Sequence, residues 1–179
     1  MDIRLKLITV FFVVATGSVG TVQAANTITF TGDVSDATCQ VDLDGGTTTV
    51  AMGTVSKTDL DTNSFSAAKD FKLKLTGCPT AEGSKTQAKI TIDGDTDSTN
   101  SDYFKNQAEG ATAATGVGIA IYEGSSGSSA NIVKSHTEGS VIDISSGSAE
   151  MAYTVKMAKA GTVGKGTITS TVTYNVTYY

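Results

Sequence analysis

One histidine, His136, and three carboxylates at alternate positions, Asp93, Asp95 and Asp97, are the side chains here best suited to moving a proton or holding a metal. A serine nucleophile needs an adjacent base. His136 would have to be that base, yet it lies in a polar, turn-like stretch that suits an exposed residue. Asp93-Gly-Asp95-Thr-Asp97 has the alternating oxygens of a calcium loop. An EF-hand would also require Gly at position 98 and Glu at position 104, where this chain has Ser98 and Phe104. A solvated acidic turn accounts for the run. Gly161-Thr-Val-Gly-Lys-Gly-Thr167 lacks the spacing of a phosphate loop, and a hairpin turn explains its glycines. Asn175-Val-Thr177 matches a glycosylation acceptor but falls within a strand pattern. The sequence therefore points away from an enzyme, and no cofactor or metal is expected.

The two cysteines, Cys39 and Cys78, carry more information. Residues 1–24 read as a secretory signal peptide: Arg4 and Lys6, an apolar stretch from Leu7 to Ala15, and a small-residue cleavage site at Val22-Gln23-Ala24. The apolar stretch is too short to span a bilayer, and no later segment could, so the mature chain has no membrane span. In a secreted chain an even cysteine count favours a disulfide. Closing a loop of that size stabilises a fold by roughly 4 kcal/mol. Removing the leader takes the formal net charge from −5 to −6 and leaves 155 residues, enough for one domain. An acidic surface argues against a nucleic-acid partner.

Short alternating runs must position these residues. Ile28, Phe30, Gly32 and Val34 alternate with polar neighbours. Cys39-x-Val41-x-Leu43 follows, then Val50-Ala-Met52 and Val55 after an Asp-Gly-Gly turn. Phe71, Leu73 and Leu75, then Ile90 and Ile92, then Val117, Ile119 and Ile121 repeat the pattern, as does Met151, Tyr153, Val155 and Met157. Asp102 to Ala114 reads as a short helix or a loop. From Ile168 to the end, Ile168, Ser170, Val172, Tyr174, Val176 and Tyr178 share one face, and threonines fill most of the other. Period-two alternation between Gly, Ser, Asp and Asn clusters is the spacing of an all-β sandwich.

This ordered set resembles the pilin subunits of bacterial chaperone–usher fimbriae, the type 1 fimbrial family. The resemblance rests on the leader and the arm with Gly32. It continues through Ala37-Thr-Cys-Gln-Val41, Val50-Ala-Met-Gly53, Phe71-x-Leu73-x-Leu75-x-Gly77-Cys78 and Gly116-Val-Gly-Ile-Ala-Ile121. It ends on Gly166, fourteenth from the end, and the penultimate Tyr178. Two departures are Tyr179, where glutamine is commoner, and a short arm of 14 residues between Ala24 and Cys39. The resemblance implies an incomplete immunoglobulin-like β-sandwich lacking its seventh strand, completed by a donor strand from a neighbouring subunit. It divides the chain into a signal peptide (1–24), a donor-strand extension (25–38) and a pilin domain (39–179). It implies that Ile28, Phe30, Gly32 and Val34 form the donor strand. Gly166, Ile168, Val172, Tyr174, Val176, Tyr178 and Tyr179 would form the acceptor groove and chaperone edge. Its partners would be a periplasmic pilus chaperone, an outer-membrane usher and identical or related pilins. The product would be an adhesive fimbria at the cell surface, with this chain as its major shaft subunit; a minor adaptor pilin is the alternative. A secreted carbohydrate-binding β-sandwich is a further rival, disfavoured because the chain has no Trp to stack on sugars.

Overall fold

The computed structural model describes residues 38–46, 48–125 and 131–179. The arm residues Ile28, Phe30, Gly32 and Val34, and the leader, lie outside the described residues.

Two antiparallel sheets share one core. The first has the order β1 (Gln40–Leu43), β2 (Lys69–Thr76), β6 (Ser148–Lys159), β4 (Val117–Glu123); the second has β5 (Ile142–Asp143), β3 (Gln87–Asp93), β7 (Thr173–Tyr178). Alternation decides the registers. On β2, Leu73 and Leu75 turn inward, while Lys72 and Lys74 turn out to Glu150 and Asp44. Opposite them on β6, Leu73 meets Met151 and Phe71 meets Tyr153. The Phe71 and Tyr153 rings stack at 5.3 Å. From the other sheet come Ala88, Ile90, Ile92 and Ile142. A one-residue slip in β2 or β3 would place outward lysines in the core.

The cysteines are bonded to each other, joining the start of β1 to the residue beyond the Gly77 turn that ends β2. Both are buried. Strand β4 is buried on both faces. Its inward Val117, Ile119 and Ile121 enter the core; its outward Ala120 and Tyr122 lie beneath Phe65, Tyr103 and Ile132. Its outer edge is covered where Phe104 exchanges two backbone hydrogen bonds with Ile119, each 2.8 Å. Phe104 is the anchor of the 102–114 segment, which is an irregular loop and not a helix; its side chain is 1% exposed. A buried aromatic and strand-like bridges outweigh the segment's weak helical composition.

Two further elements differ from the sequence expectation. A short helix, α1 (Lys57–Asn63), follows the Val50–Val55 stretch, which itself forms no ladder. Ser56 caps it, accepting from the Asp59 amide at 3.0 Å. Ser56-x-x-Asp59 is a capping-box spacing, the signal that locates this helix in the sequence. The final strand is also shorter than its pattern. Its ladder with β3 runs only from Thr173 to Tyr178, because β3 ends at Asp93 and Ile168–Val172 has no described strand opposite it.

Candidate functional site

The polar candidates disperse. His136 is exposed and bonds to Asp93, whose other carboxylate oxygen accepts from Asn175 at 3.0 Å. Asp97 accepts the amides of Thr99 and Asn100 within its own turn. Asp95 meets the Gln107 amide at 3.4 Å. Asp97 organises its own turn, Asp93 and Asp95 tie separate segments together, and no group of three candidate metal ligands converges among the described residues.

The apolar candidates converge. Strand β7 pairs with β3 on one edge, and no described strand pairs with the other. Beside that edge lies a groove of about 1400 Å³. One wall is residues 166–172 with Tyr174; the other is β1's Asp42 and Leu43 with residues 48–57. Its floor is core: Leu60, Leu73, Ile92, Val117, Ile119 and Met157 line it. The β4 edge is covered by Phe104; an edge left uncovered has N–H and C=O groups that recruit other chains. This edge has apolar side chains beneath it and no described cover.

The residues expected to form the groove divide into two sets. Gly166, Ile168, Val172 and Tyr174 line it. Ile168 and Val172 are half-buried against the core. The Tyr174 ring is 42% exposed, and its hydroxyl donates to the Val41 carbonyl at 3.0 Å, tying β7 to β1. Val176 and Tyr178 lie further along, packed against the core outside the groove. Burial pushes the Tyr178 hydroxyl above its ordinary pKa.

Tyr179 leaves the groove altogether. Its amide donates to the Gln87 carbonyl at 2.8 Å, and its backbone oxygen accepts from Thr86 at 3.0 Å. Its hydroxyl donates to Glu138 at 2.7 Å, and Lys89 sits 5.1 Å from its ring centre. Lys89, and then the Tyr179 hydroxyl, hold the Glu138 carboxyl below its ordinary pKa.

Gly166 is required by contact. A Cβ there would sit 2.4 Å from the backbone of Thr112, Ala113 and Ala114, closer than any carbon tolerates. The glycine lets the groove wall lie directly on that loop, where Thr167 bonds to Thr112 at 2.7 Å. The sequence reading missed the opposite wall, residues 48–57. Its apolar Val50, Met52 and Val55 were visible, but only the fold sets them across from Ile168 and Val172.

A family model described as "Fimbrial protein" matches residues 28–179. The chain is 30% identical over 168 residues to "Long polar fimbria protein A" of Salmonella typhimurium, covering 93% of this chain and 90% of that one. It is 32% identical over 165 residues to "Probable major fimbrial subunit LpfA" of Escherichia coli O157:H7, covering 89% of each. Among solved structures, the P pilus rod subunit PapA superposes with a TM-score of 0.64 at 21% identity, covering 80% of this chain and all of that one. A chaperone–usher pilus structure gives 0.63 at 23% identity, covering 88% and 97%. The two structures show the fold, an incomplete immunoglobulin-like sandwich in which no described strand pairs with the outer edge of β7. Sequence likeness along almost the whole chain carries the rest: the chain belongs to the fimbrial protein family, whose members are structural subunits of cell-surface fimbriae.

Proposed function

We propose that the groove beside β7 receives the arm of another copy of this chain, so that subunits polymerise by donor-strand exchange into a fimbrial shaft. The observation carrying this reading is a strand edge with no described partner, lying over apolar core side chains. An added strand supplies the missing backbone bonds, and alternate side chains set its register. Residues 25–38 are the donor. Ile28, Phe30 and Val34 enter the groove, each burial contributing roughly 1.5–3 kcal/mol before ordering costs. Gly32 allows close approach of the two backbones. Before assembly a periplasmic chaperone covers the same edge, and an outer-membrane usher exchanges it for the arm. The subunit performs no catalysis. Relatives with fimbrial-subunit names across most of their length support the shaft role over the adaptor role.

The experiment replaces two arm residues. Phe30→Asp puts a charge into an apolar groove, which is costly without a partner. Gly32→Val crowds the close approach. Both variants are expected to yield oxidised, chaperone-bound subunits and no fibres by electron microscopy. A variant that polymerises normally, or one that no longer folds with its chaperone, overturns the donor-strand assignment.

A further inference from the structure

Backbone groups along β7 alternate between its two edges. Tyr179 and Gln87 exchange bonds of 2.8 and 3.3 Å, so odd-numbered residues point toward β3. Even-numbered residues therefore point toward the groove. Upstream of Thr173 the odd residues have lost β3, yet the N–H groups of Thr167, Thr169 and Thr171 and the carbonyls of Thr167 and Thr169 all find partners. The Asn106 side-chain oxygen accepts from the Thr169 amide at 3.0 Å. The Gln107 side-chain oxygen accepts from the Thr171 amide at 2.7 Å. The Gln107 amide donates to the Thr169 carbonyl at 2.7 Å. The Asn106 side-chain nitrogen donates to the carbonyls of Ala114 at 2.9 Å and Thr167 at 3.2 Å. Its oxygen also accepts from Ala108 at 3.1 Å, which fixes the side chain to its own loop.

We infer that Asn106 and Gln107 are positioning residues that stand in for a strand. They hold residues 167–171 extended, so that Ile168, Ser170 and Val172 present their backbone groups to an incoming strand before it arrives. This rests on the groove being a strand acceptor. A preset edge spares the incoming strand the ordering cost of its template. Without the two side chains, this stretch has no ladder to keep it straight. The 102–114 loop is anchored independently by buried Phe104, so the clamp is carried by the scaffold and not by the segment it holds.

Two measurements test the inference on the full oxidised chain, with a synthetic peptide of residues 25–38 as the strand. Hydrogen exchange of the unmodified protein comes first. Thr169 and Thr171 amides are expected to be protected before peptide is added, and Ser170 and Val172 amides only afterward. Free exchange at Thr169 and Thr171 before addition overturns the clamp without any variant. Second, Gln107→Met keeps the side chain's length and removes the acceptor. Loss of such a bond should raise Thr171 exchange and slow peptide uptake by about tenfold, leaving Asn175 and Thr177 amides protected. Gln107→Glu restores the acceptor but turns its second oxygen on the Asp95 carboxylate, so the rescue is read in Gln107→Glu combined with Asp95→Asn, which should restore uptake. Uptake by Gln107→Met at the unmodified rate makes the bonds merely structural and overturns the inference. Failure of the unmodified protein to take up peptide overturns the groove reading itself, and the clamp with it.

Discussion

At the residue scale, polar groups in this protein serve local geometry. The cluster of Lys89, Glu138 and Tyr179 fastens the far end of β7. Glu138's lowered pKa means its contribution is present above its ordinary value of 4.5 and is lost as pH falls through the folded value. Lys89, raised mainly by the same Glu138, contributes below 10.5 and loses its contribution as pH rises through its folded value. The cluster is thus intact across neutral pH and opens at both extremes. Glu138 and Tyr179 are exposed and Lys89 is half-buried, so salt weakens the ion pair. In an NMR titration, Lys89→Ala should return the Glu138 carboxyl toward its ordinary value; an unchanged titration would remove Lys89 as the cause. Phe104 is a residue of the opposite kind, fully buried at the tip of an irregular loop. Phe104→Ala should cost about 3–5 kcal/mol in denaturant unfolding, the range for a deleted core aromatic.

At the element scale, the helix and the groove wall make separable predictions. Ser56→Ala removes the α1 cap and should lower stability by about 1 kcal/mol. The change should be visible as a shift in denaturant midpoint with the slope unchanged. Leu60, buried on this helix, keeps α1 against the core and near the groove floor. Gly166→Val tests the other wall. Its Cβ cannot coexist with the backbone of 112–114, so one of the two segments must move. The clamp residues lie on that same loop, so the expected result is an oxidised protein whose groove no longer binds the 25–38 peptide. Binding at the unmodified affinity would show that the wall tolerates the displacement.

At the scale of the whole molecule, the proposed strand exchange makes stability depend on a partner. One sheet edge over the core has no partner among the described residues, and the disulfide constrains the chain around it. Strand addition should therefore register as stability. A ligand at 100 times its Kd adds about 2.7 kcal/mol to a folded protein that binds it. For a domain of this size that corresponds to a rise in Tm of several degrees. Calorimetry with the 25–38 peptide should show this rise, and a peptide carrying Phe30→Asp should not. Removing the bridge with Cys39→Ser and Cys78→Ser should cost about 4 kcal/mol by the loop-entropy argument. Deletion of both cysteines without loss of stability would contradict the structural role of the bond.

Alternation along single strands was enough to read the two-layered β fold and the inward faces of β2, β3, β4 and β6. The hydrophobic effect acts on each strand locally, so a period of two in the sequence is a face in the structure. The polar nature of the Asp93–Asp97 turn and the pairing of the cysteines were legible for similar reasons: few residue types and few possible partners. The length of the last strand was not legible. Ile168 to Tyr178 alternates throughout except at Ser170, but a strand is a ladder only where something lies opposite, and β3 stops at Asp93. The Asn106 and Gln107 clamp was likewise invisible. It joins residues some 60 positions apart through side-chain amides, and amides make such bonds almost anywhere. The sequence determined which faces are apolar; only the tertiary structure decided which edge stays open, because an edge is defined by its neighbours and not by its own residues.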